Sequence, residues 1–368
     1  MGYSDDTEVF HALVRAGLWE KDVGLLPYKE VDFDRLLQLA QEQSVVGLAL
    51  AGLERSDVMP PQKLLLQWIG EAQLFEQRNM AMNGFIAELI DRLRNEGVFC
   101  LLVKGQGVAQ CYERPLWRSC GDVDLFFDAD NYEKAKAYLL PRATSVEPEE
   151  KRKKHQAMVI GPWVVELHGL MATEISERIN TGVSRVQRDI FENGGVRVWK
   201  NEGVDVLLPS PDNDAIIIFT HFLQHFFVGG VGLRQICDWC RLLWTYRDSL
   251  DKELLEQRLR EMGIMSEWKA FGTFAVEWLG MSVEAMPLYT PDVKWRRKAQ
   301  RICRVVMDAG NFGHNKDNSY RSKYPRLIEK SITFFRRLGE YVRLFAIFPW
   351  DAPRFFVTYV RRRVKATL

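Results

Sequence analysis

The stretch from Phe99 to Phe127 constrains the fold of this chain more than any other. It begins with an apolar run of strand length, turns at Lys104-Gly105, and ends in a second strand where Asp122 and Asp124 alternate with apolar residues. Because side chains on a strand alternate between its faces, the two aspartates point one way and the apolar residues point into a core. Neighbouring carboxylates repel one another, and a hard divalent metal with oxygen ligands is the simplest cation to lie between them. The stretch therefore predicts a sheet with one acidic face.

A second strand repeats this pattern further along the chain. In Trp163 to His168, Glu166 and His168 share one face and the apolar residues share the other. A sheet that contains both strands can bring three carboxylates together, and three carboxylates suit two Mg²⁺ ions that hold a triphosphate and an attacking hydroxyl. The alternative is that these acids lie on a solvent-exposed face and bind nothing.

Hydrophobic periodicity divides the chain into three predicted segments. Residues 1–97 are helical and include one long helix from Pro60-Pro61 to about Asn95. Residues 98–210 alternate between strands and helices and form the predicted α/β core. Residues 211–368 are helical again and end in a basic, aromatic-rich segment. The predicted class is α+β, with a small mixed sheet flanked by mainly helical N- and C-terminal regions.

Composition bears on the partners and the cellular compartment that the chain could have. Lys plus Arg number 50 and Asp plus Glu number 49, so the total charge does not indicate a polyanionic partner. The acidic first ten residues lack the apolar core of a signal peptide, and the six scattered cysteines suit buried thiols in a reducing compartment. These features predict a cytoplasmic protein.

One apolar segment has the length of a membrane span. Ala215 to Leu233 contains no Asp, Glu, Lys or Arg. However, it contains two histidines and a glutamine, and it is interrupted by Gly229-Gly230. We expect a buried helix of a soluble domain rather than a span.

The motifs resemble a known family when they are taken together. The Lys104-Gly105 turn, the strand Arg118-x-x-Gly121-Asp122-x-Asp124 and the later Glu166-Leu167-His168 strand are similar to those of the uncharacterised nucleotidyltransferase family, a bacterial family of the polymerase-beta-like superfamily. The resemblance covers roughly Val98 to Arg241, whereas the flanking helices match in type alone.

This resemblance implies an activity and an acidic site. The activity is transfer of a nucleoside monophosphate from a nucleoside triphosphate (NTP) to an acceptor hydroxyl, with two Mg²⁺ ions. Asp122 and Asp124 would bind metal, and Glu166 would be the third acid, either as a ligand or as the base that activates the acceptor.

The resemblance also implies a nucleotide-binding set made of Lys104, Gly105, Arg118 and Gly121. The Lys104-Gly105 turn would face the phosphates from a helix N-terminus, and the two cations would neutralise phosphate charge.

The chain departs from the wider superfamily at one position. The usual Gly-Ser turn is Gly105-Gln106 here, so the serine that contacts phosphate is missing. Two hypotheses follow, an active nucleotidyltransferase and a catalytically degenerate protein of the same fold that binds or scaffolds without turnover. No residue indicates which NTP is used, or whether the acceptor is a small molecule, a protein side chain or an RNA end.

A histidine pair follows the core on the next helical segment. His221 and His225 share a helix face, and Arg234 and Asp238 lie on the following helix. Helices of this kind occur in the resembling family, which implies that His168, His225, Arg234 and Asp238 line the cleft. A zinc site at the pair is the alternative, but the catalytic Glu and a third ligand are missing, so packed histidines are favoured.

Three weaker motifs remain. Cys237-x-x-Cys240 lacks a second pair and predicts helix core rather than zinc or redox chemistry. The run from Lys151 to His155 predicts a solvated loop or a contact with a polyanionic acceptor. The basic segment from Tyr320 to Leu368 suits a packed helix with a basic edge, an RNA contact or a membrane-surface anchor.

Overall fold

The computed structural model describes residues 5–28, 30–311 and 326–365 of the chain. Strands lie in the middle of the sequence, and helices occupy both ends. The predicted α+β class is therefore confirmed, with a mixed sheet flanked by two mainly helical regions.

The N-terminal region consists of four helices. Their bounds are α1 Asp5–Trp19, α2 Phe33–Glu42, α3 Val46–Leu53 and α4 Gln62–Asn95. The predicted long helix is confirmed, since α4 runs for 34 residues directly after Pro60-Pro61. Helices α1 and α3 touch through their backbones, because a Cβ on Gly17 would lie 1.8 Å from the carbonyl oxygen of Leu48. Only glycine permits so close an approach at this position.

The middle of the chain forms one central sheet and one separate hairpin. The strands are β1 Leu101–Val103, β2 Asp122–Phe126, β3 Ser145–Val146, β4 His155–Ile160, β5 Trp163–His168, β6 Val196–Asn201 and β7 Val204–Pro209. The order in the central sheet is β1-β2-β5-β4-β3, and β6 pairs only with β7. Strands β2 and β5 are parallel neighbours, whereas the other pairs are antiparallel. The predicted turn at Gly161-Pro162 joins β4 to β5.

Helices connect these strands and complete the chain. They are α5 Gly105–Ala109, α6 Ala129–Leu139, α7 Glu177–Asn193, α8 Pro211–Val228, α9 Leu233–Thr245, α10 Lys252–Met262, α11 Met265–Glu277, α12 Val293–Ala309, α13 Arg326–Phe345 and α14 Asp351–Lys365. In α7 and α12, for example, apolar side chains recur with helical spacing on the buried face. Helix α7 was not predicted from the sequence.

Two hydrophobic cores cover the two faces of the central sheet. The apolar face, with Val123, Leu125 and Val165, packs against α6 and the second half of α4. The larger core joins the N-terminal helices to the aromatic-rich α8, α9 and α11. Helix α4 contributes Trp68 to the larger core and Ile90 to the smaller one, so it links them. The predicted domain boundaries after residues 97 and 210 stay a prediction.

The segments that could have crossed a membrane or bound zinc are packed inside the protein. None of the described helices is long and apolar enough to cross a membrane, and α8 is buried along most of its length. Cys237 and Cys240 are completely buried in α9, which confirms that they belong to the core.

The basic C-terminal segment is described only from residue 326 to residue 365, and the rest of it lies outside the described residues. Within this part, Tyr341, Phe348 and Phe355 are buried, and the rings of Phe348 and Phe355 contact Phe227 of α8. The segment therefore packs as helices, while an RNA or membrane contact stays a prediction.

Candidate active site

A cavity of about 380 Å³ lies between the acidic face of the central sheet and helices α8 and α9. It is lined by nearly all the residues that the sequence singled out. These residues are Lys104, Gly105, Arg118, Asp122, Asp124, Glu166, His168, His225, Arg234 and Asp238. Gly121 is exposed beside the cavity and is not part of its lining. Tertiary structure thus gathers residues from more than a third of the chain at one place.

The three carboxylates lie on the floor of the cavity because of the register of two parallel strands. Asp124 of β2 lies opposite Glu166 of β5, and Asp122 precedes Asp124 on the same face. Neighbouring strands are about 4.8 Å apart, so the three acids form one cluster. Asp124 is buried, while Asp122 and Glu166 are partly exposed to the cavity.

Lys104 brings a cation to this cluster through a strained turn. Its backbone has φ 57° and ψ −145°, a region that side-chain-bearing residues rarely adopt, and Gly105 follows with φ 42°. The Nζ atom of Lys104 lies 2.7 Å from Oδ1 of Asp124. Although burial opposes the charged amine, the Asp124 carboxylate raises the pKa of Lys104 above its ordinary value.

Two histidines hold the carboxylates from the other side. His168 Nε2 lies 2.7 Å from Asp124 Oδ1 and 3.5 Å from Glu166 Oε2, and His155 Nε2 lies 3.1 Å from the same Glu166 oxygen. Hydrogen bonds from His155 and His168 lower the pKa of Glu166 well below its usual range. Burial opposes the charged form of His168, but its bonds to Asp124 and Glu166 raise its pKa overall. Glu166 is therefore ionised at neutral pH.

The pKa values of the two aspartates are shifted in opposite directions. Burial opposes ionisation of Asp124, yet Lys104 and His168 lower its pKa. Repulsion from Asp124, followed by burial, raises the pKa of Asp122. The side of the cluster at Asp122 thus has an excess of negative charge, and its oxygen donors are those that Mg²⁺ prefers. The residues present fit a magnesium ion at this position.

Arg118 is bound to another cavity residue. Its Nε and Nη2 atoms donate to Asp238 Oδ1 and Oδ2 at 3.1 Å and 2.6 Å, and the Tyr112 hydroxyl donates to the same carboxylate at 2.8 Å. Arg118 and Asp238 are both buried. This ion pair joins the loop before β2 to α9, and a phosphate contact of Arg118 stays a prediction.

Helix α8 forms the opposite wall of the cavity. The rings of His221 and His225 lie 4.6 Å apart in an edge-to-face arrangement. Burial lowers the pKa of His225 to about 4 and that of His221 well below its ordinary value, and the Lys104 cation acts in the same direction. Both rings are neutral at pH 7. Across the described ranges, no cluster of three potential metal ligands includes this pair.

Sequence reasoning missed the part played by the basic run before β4. Lys153 bonds to Glu150 and Glu174 at 2.8 Å and 2.9 Å, and His155 bonds to Glu166, so Lys153 and His155 of the expected solvated loop belong to the cavity rim. The sequence feature that could have revealed this contact is the Gly161-Pro162 turn. Because Ile160 pairs with Trp163, counting back along the hairpin places His155 opposite His168.

Gln106 stands where the Gly-Ser turn of the wider superfamily has its serine. Its side chain is buried and donates to Asn79 Oδ1 at 2.7 Å, with Met82 close by on the same helix, α4. It does not belong to the cavity lining. The residue therefore holds the turn against α4 and does not face the cavity.

Two comparisons with known proteins found similarities to this chain. A protein-family model described as "Uncharacterised nucleotidyltransferase" matches residues 29–280. Among solved structures, the crystal structure of an antigenic nucleotidyltransferase-like protein from Paracoccidioides brasiliensis aligns with 55% of this chain and 93% of its own, at 14% identity and a TM-score of 0.33. No curated protein matches the chain.

Proposed function

The chain belongs to the family of uncharacterised nucleotidyltransferases, and from this premise we propose that it transfers a nucleoside monophosphate from an NTP to an acceptor hydroxyl in the presence of Mg²⁺. The observation that supports the proposal best is the carboxylate cluster on the cavity floor. Asp122 and Asp124 on one strand lie beside Glu166 on the next, and all three face a cavity large enough for a nucleotide.

Asp122, Asp124 and Glu166 would hold the metal, with two ions as the proposed number. When bound, Mg²⁺ would neutralise the triphosphate and polarise the phosphate that is attacked. Glu166 is ionised at neutral pH, but its lowered pKa makes it a weak base, which favours the role of metal ligand over that of the base that accepts the proton of the acceptor hydroxyl.

The remaining cavity residues would bind and orient the nucleotide. Lys104 lies 2.7 Å from Asp124, and it would neutralise phosphate charge together with the backbone at Gly105. Gly121 leaves open space beside the cluster, because a Cβ there would meet no atom within 4 Å. His168 would position Asp124 and Glu166 through its two hydrogen bonds. Such preorganised electrostatics supply most of the catalysis in phosphoryl transfer.

A second candidate function is nucleotide or partner binding without turnover. Two observations favour it. Asp124 Oδ1 already has Lys104 and His168 as partners, and Gln106 bonds to α4 where an active relative would present a serine. A protein of this kind would keep the fold and the cavity but would not transfer nucleotides.

The test of transfer uses the purified chain, labelled NTPs, Mg²⁺ and a lysate as a source of acceptors. We expect labelled product, and we expect the double variant Asp122→Asn, Asp124→Asn to lose at least about 100-fold of the rate. The control Asp205→Asn removes an exposed carboxylate on β7 and keeps the rate. Equal rates for the double variant and the control would contradict the proposed site.

Calorimetry with a non-hydrolysable NTP separates the two candidates. Binding that requires Mg²⁺ supports the transferase. Binding without Mg²⁺, together with absent transfer, supports the second candidate, and no binding at all leaves a scaffold role.

The partners and location of the enzyme form a further part of the proposal. The acceptor could be a small molecule, a protein side chain or an RNA end. The six free, buried cysteines favour a reducing compartment such as the cytoplasm. Contact of the C-terminal helices with RNA or a membrane surface would depend steeply on salt and would weaken in Arg354→Gln or Arg361→Gln.

A further inference from the structure

We propose that His155, Glu166 and His168 form a second metal site, which shares Glu166 with the magnesium carboxylates and binds one zinc-type divalent ion. One ligand atom from each residue lies within 4.8 Å of the other two. The Glu166 Oε2 atom is 3.1 Å from His155 Nε2 and 3.5 Å from His168 Nε2. In a tetrahedral zinc site with bonds of about 2.0–2.1 Å, ligand atoms are about 3.3 Å apart. Both distances match the edge of such a tetrahedron.

The strands of the central sheet hold these donors in place. Glu166 and His168 lie two residues apart on β5, so they share a face, and the β4–β5 register sets His155 directly opposite His168. The two imidazole rings have centroids 4.8 Å apart and are tilted by 36°, so they do not stack. An ion would therefore meet three donors that are already gathered by the backbone of a hairpin.

The chemistry of the donors selects a metal other than magnesium. Imidazole nitrogen binds zinc, copper, nickel and iron far better than Mg²⁺, which prefers oxygen. Two histidines and one glutamate are a typical protein ligand set of catalytic zinc sites, which keep a fourth position for water or substrate. Since all three residues line the cavity, such a fourth position would be open to it.

The carboxylates of Glu166 and Asp124 favour a cation at this position, while the Lys104 ammonium, 2.7 Å from Asp124, opposes it. His168 Nε2 also lies 2.7 Å from Asp124 Oδ1, so a metal ion would replace the proton that this nitrogen shares with two carboxylates. The side chains of His155, Glu166 and His168 are 25%, 27% and 16% exposed, which leaves a path for the ion from the cavity.

Glu166 is shared with the proposed magnesium carboxylates. Zinc at the histidines would remove this carboxylate from Asp122 and Asp124, so zinc would inhibit nucleotide transfer. This consequence rests on the proposed function, whereas zinc binding itself does not.

The test measures zinc binding to the full chain, without nucleotide and with millimolar Mg²⁺ present, by competition with a chromophoric chelator. We expect one equivalent of Zn²⁺ to bind, and we expect His155→Gln to weaken the affinity at least tenfold. The matched control is His221→Gln, which removes a histidine from the opposite wall of the cavity and leaves the zinc affinity unchanged.

X-ray absorption of the wild-type protein with one equivalent of zinc provides a measurement that needs no variant. We expect scattering from two imidazoles. Absence of zinc binding, a spectrum without imidazole scattering, or equal affinities of His155→Gln and the wild type would each overturn the proposal. A loss in His221→Gln together with unchanged affinity in His155→Gln would move the site to α8 and also overturn it.

The two proposals fail separately. If labelled nucleotide is transferred and zinc does not bind, only the zinc site is wrong. If zinc binds with the expected variant pattern and no nucleotide is transferred, only the transferase proposal is wrong.

Discussion

Two walls of one cavity carry histidines with opposite behaviour. His168 on the sheet has a raised pKa, while His221 and His225 on α8 have lowered ones. Burial disfavours the charged ring in all three cases. On the sheet, hydrogen bonds to Asp124 and Glu166 more than offset burial and the Lys104 cation, whereas at the helix burial and Lys104 dominate. The carboxylate partners of a buried histidine therefore decide the direction in which its pKa shifts.

This difference separates the tasks of the two walls. The sheet wall combines carboxylates with Lys104 and suits metal and phosphate. The helix wall is neutral and contains apolar neighbours such as Ile217 and Phe222, so it suits an uncharged part of a ligand. Four predictions test this contrast.

The largest effect on stability is expected at the ion pair between Arg118 and Asp238, which joins the loop before β2 to α9. Asp238→Asn breaks the buried ion pair with Arg118 and leaves the guanidinium without a counter-charge. We expect the free energy of unfolding to fall by about 3–5 kcal/mol, as measured by urea denaturation. The matched control, Asp205→Asn, breaks an exposed pair with Lys200 and should cost less than about 1 kcal/mol. Equal losses in the two variants would show that the pair does not join the walls.

The next largest effect is the pH dependence of stability that His225 on the helix wall causes. Folding lowers the pKa of His225 from about 6.5 to about 4, so the unfolded chain binds more protons in this window and stability falls as pH falls through it. Between pH 7.5 and pH 5 this residue should account for a loss of about 2 kcal/mol.

His225→Gln should remove that part of the pH dependence, and urea denaturation at the two pH values measures it. Between pH 7.5 and pH 8.5 the variant and the wild type should have the same slope. An unchanged acid slope in the variant would mean that His225 is not held neutral by the fold.

A third variant should shift the pKa of His168 on the sheet wall in the direction seen for the histidines of the helix wall. Asp124→Asn removes one of the two carboxylates that raise the pKa of His168, so this pKa should fall. Titration of histidine resonances by nuclear magnetic resonance, in metal-free protein, follows this change. The signal of His225 acts as the internal control, and an unchanged His168 pKa in the variant would refute the assignment.

The smallest effect is expected at Gly121. A Cβ there meets no atom within 4 Å, and the backbone does not adopt the positive φ that favours glycine, so Gly121→Ala should change stability by less than about 0.5 kcal/mol. If Gly121 admits the nucleotide, the variant should nevertheless weaken binding of a non-hydrolysable NTP. In contrast, Gly47→Ala would place a Cβ 2.2 Å from the carbonyl oxygen of Trp117 and should destabilise the fold strongly.

The sequence predicted much of the fold because local patterns repeat with the period of each element. The long helix from Gln62 to Asn95 and the hairpin at Gly161-Pro162 both follow from such patterns. His155 was assigned to a solvated loop, because a basic run dominates its local composition. Its contact with Glu166 depends on strand register, which a count along the hairpin could have recovered.

The sequence by itself determined that Asp122 and Asp124 share one strand face and that Glu166 and His168 share another, because side chains alternate along any strand. Only the tertiary structure decided that β2 lies parallel to β5, so that Asp124 meets Glu166, and that Arg118 pairs with a carboxylate 120 residues away. The physical reason is the distance along the chain over which each interaction acts. Alternation is a property of the local backbone, whereas strand order and buried charge pairs depend on how distant segments pack and exclude water.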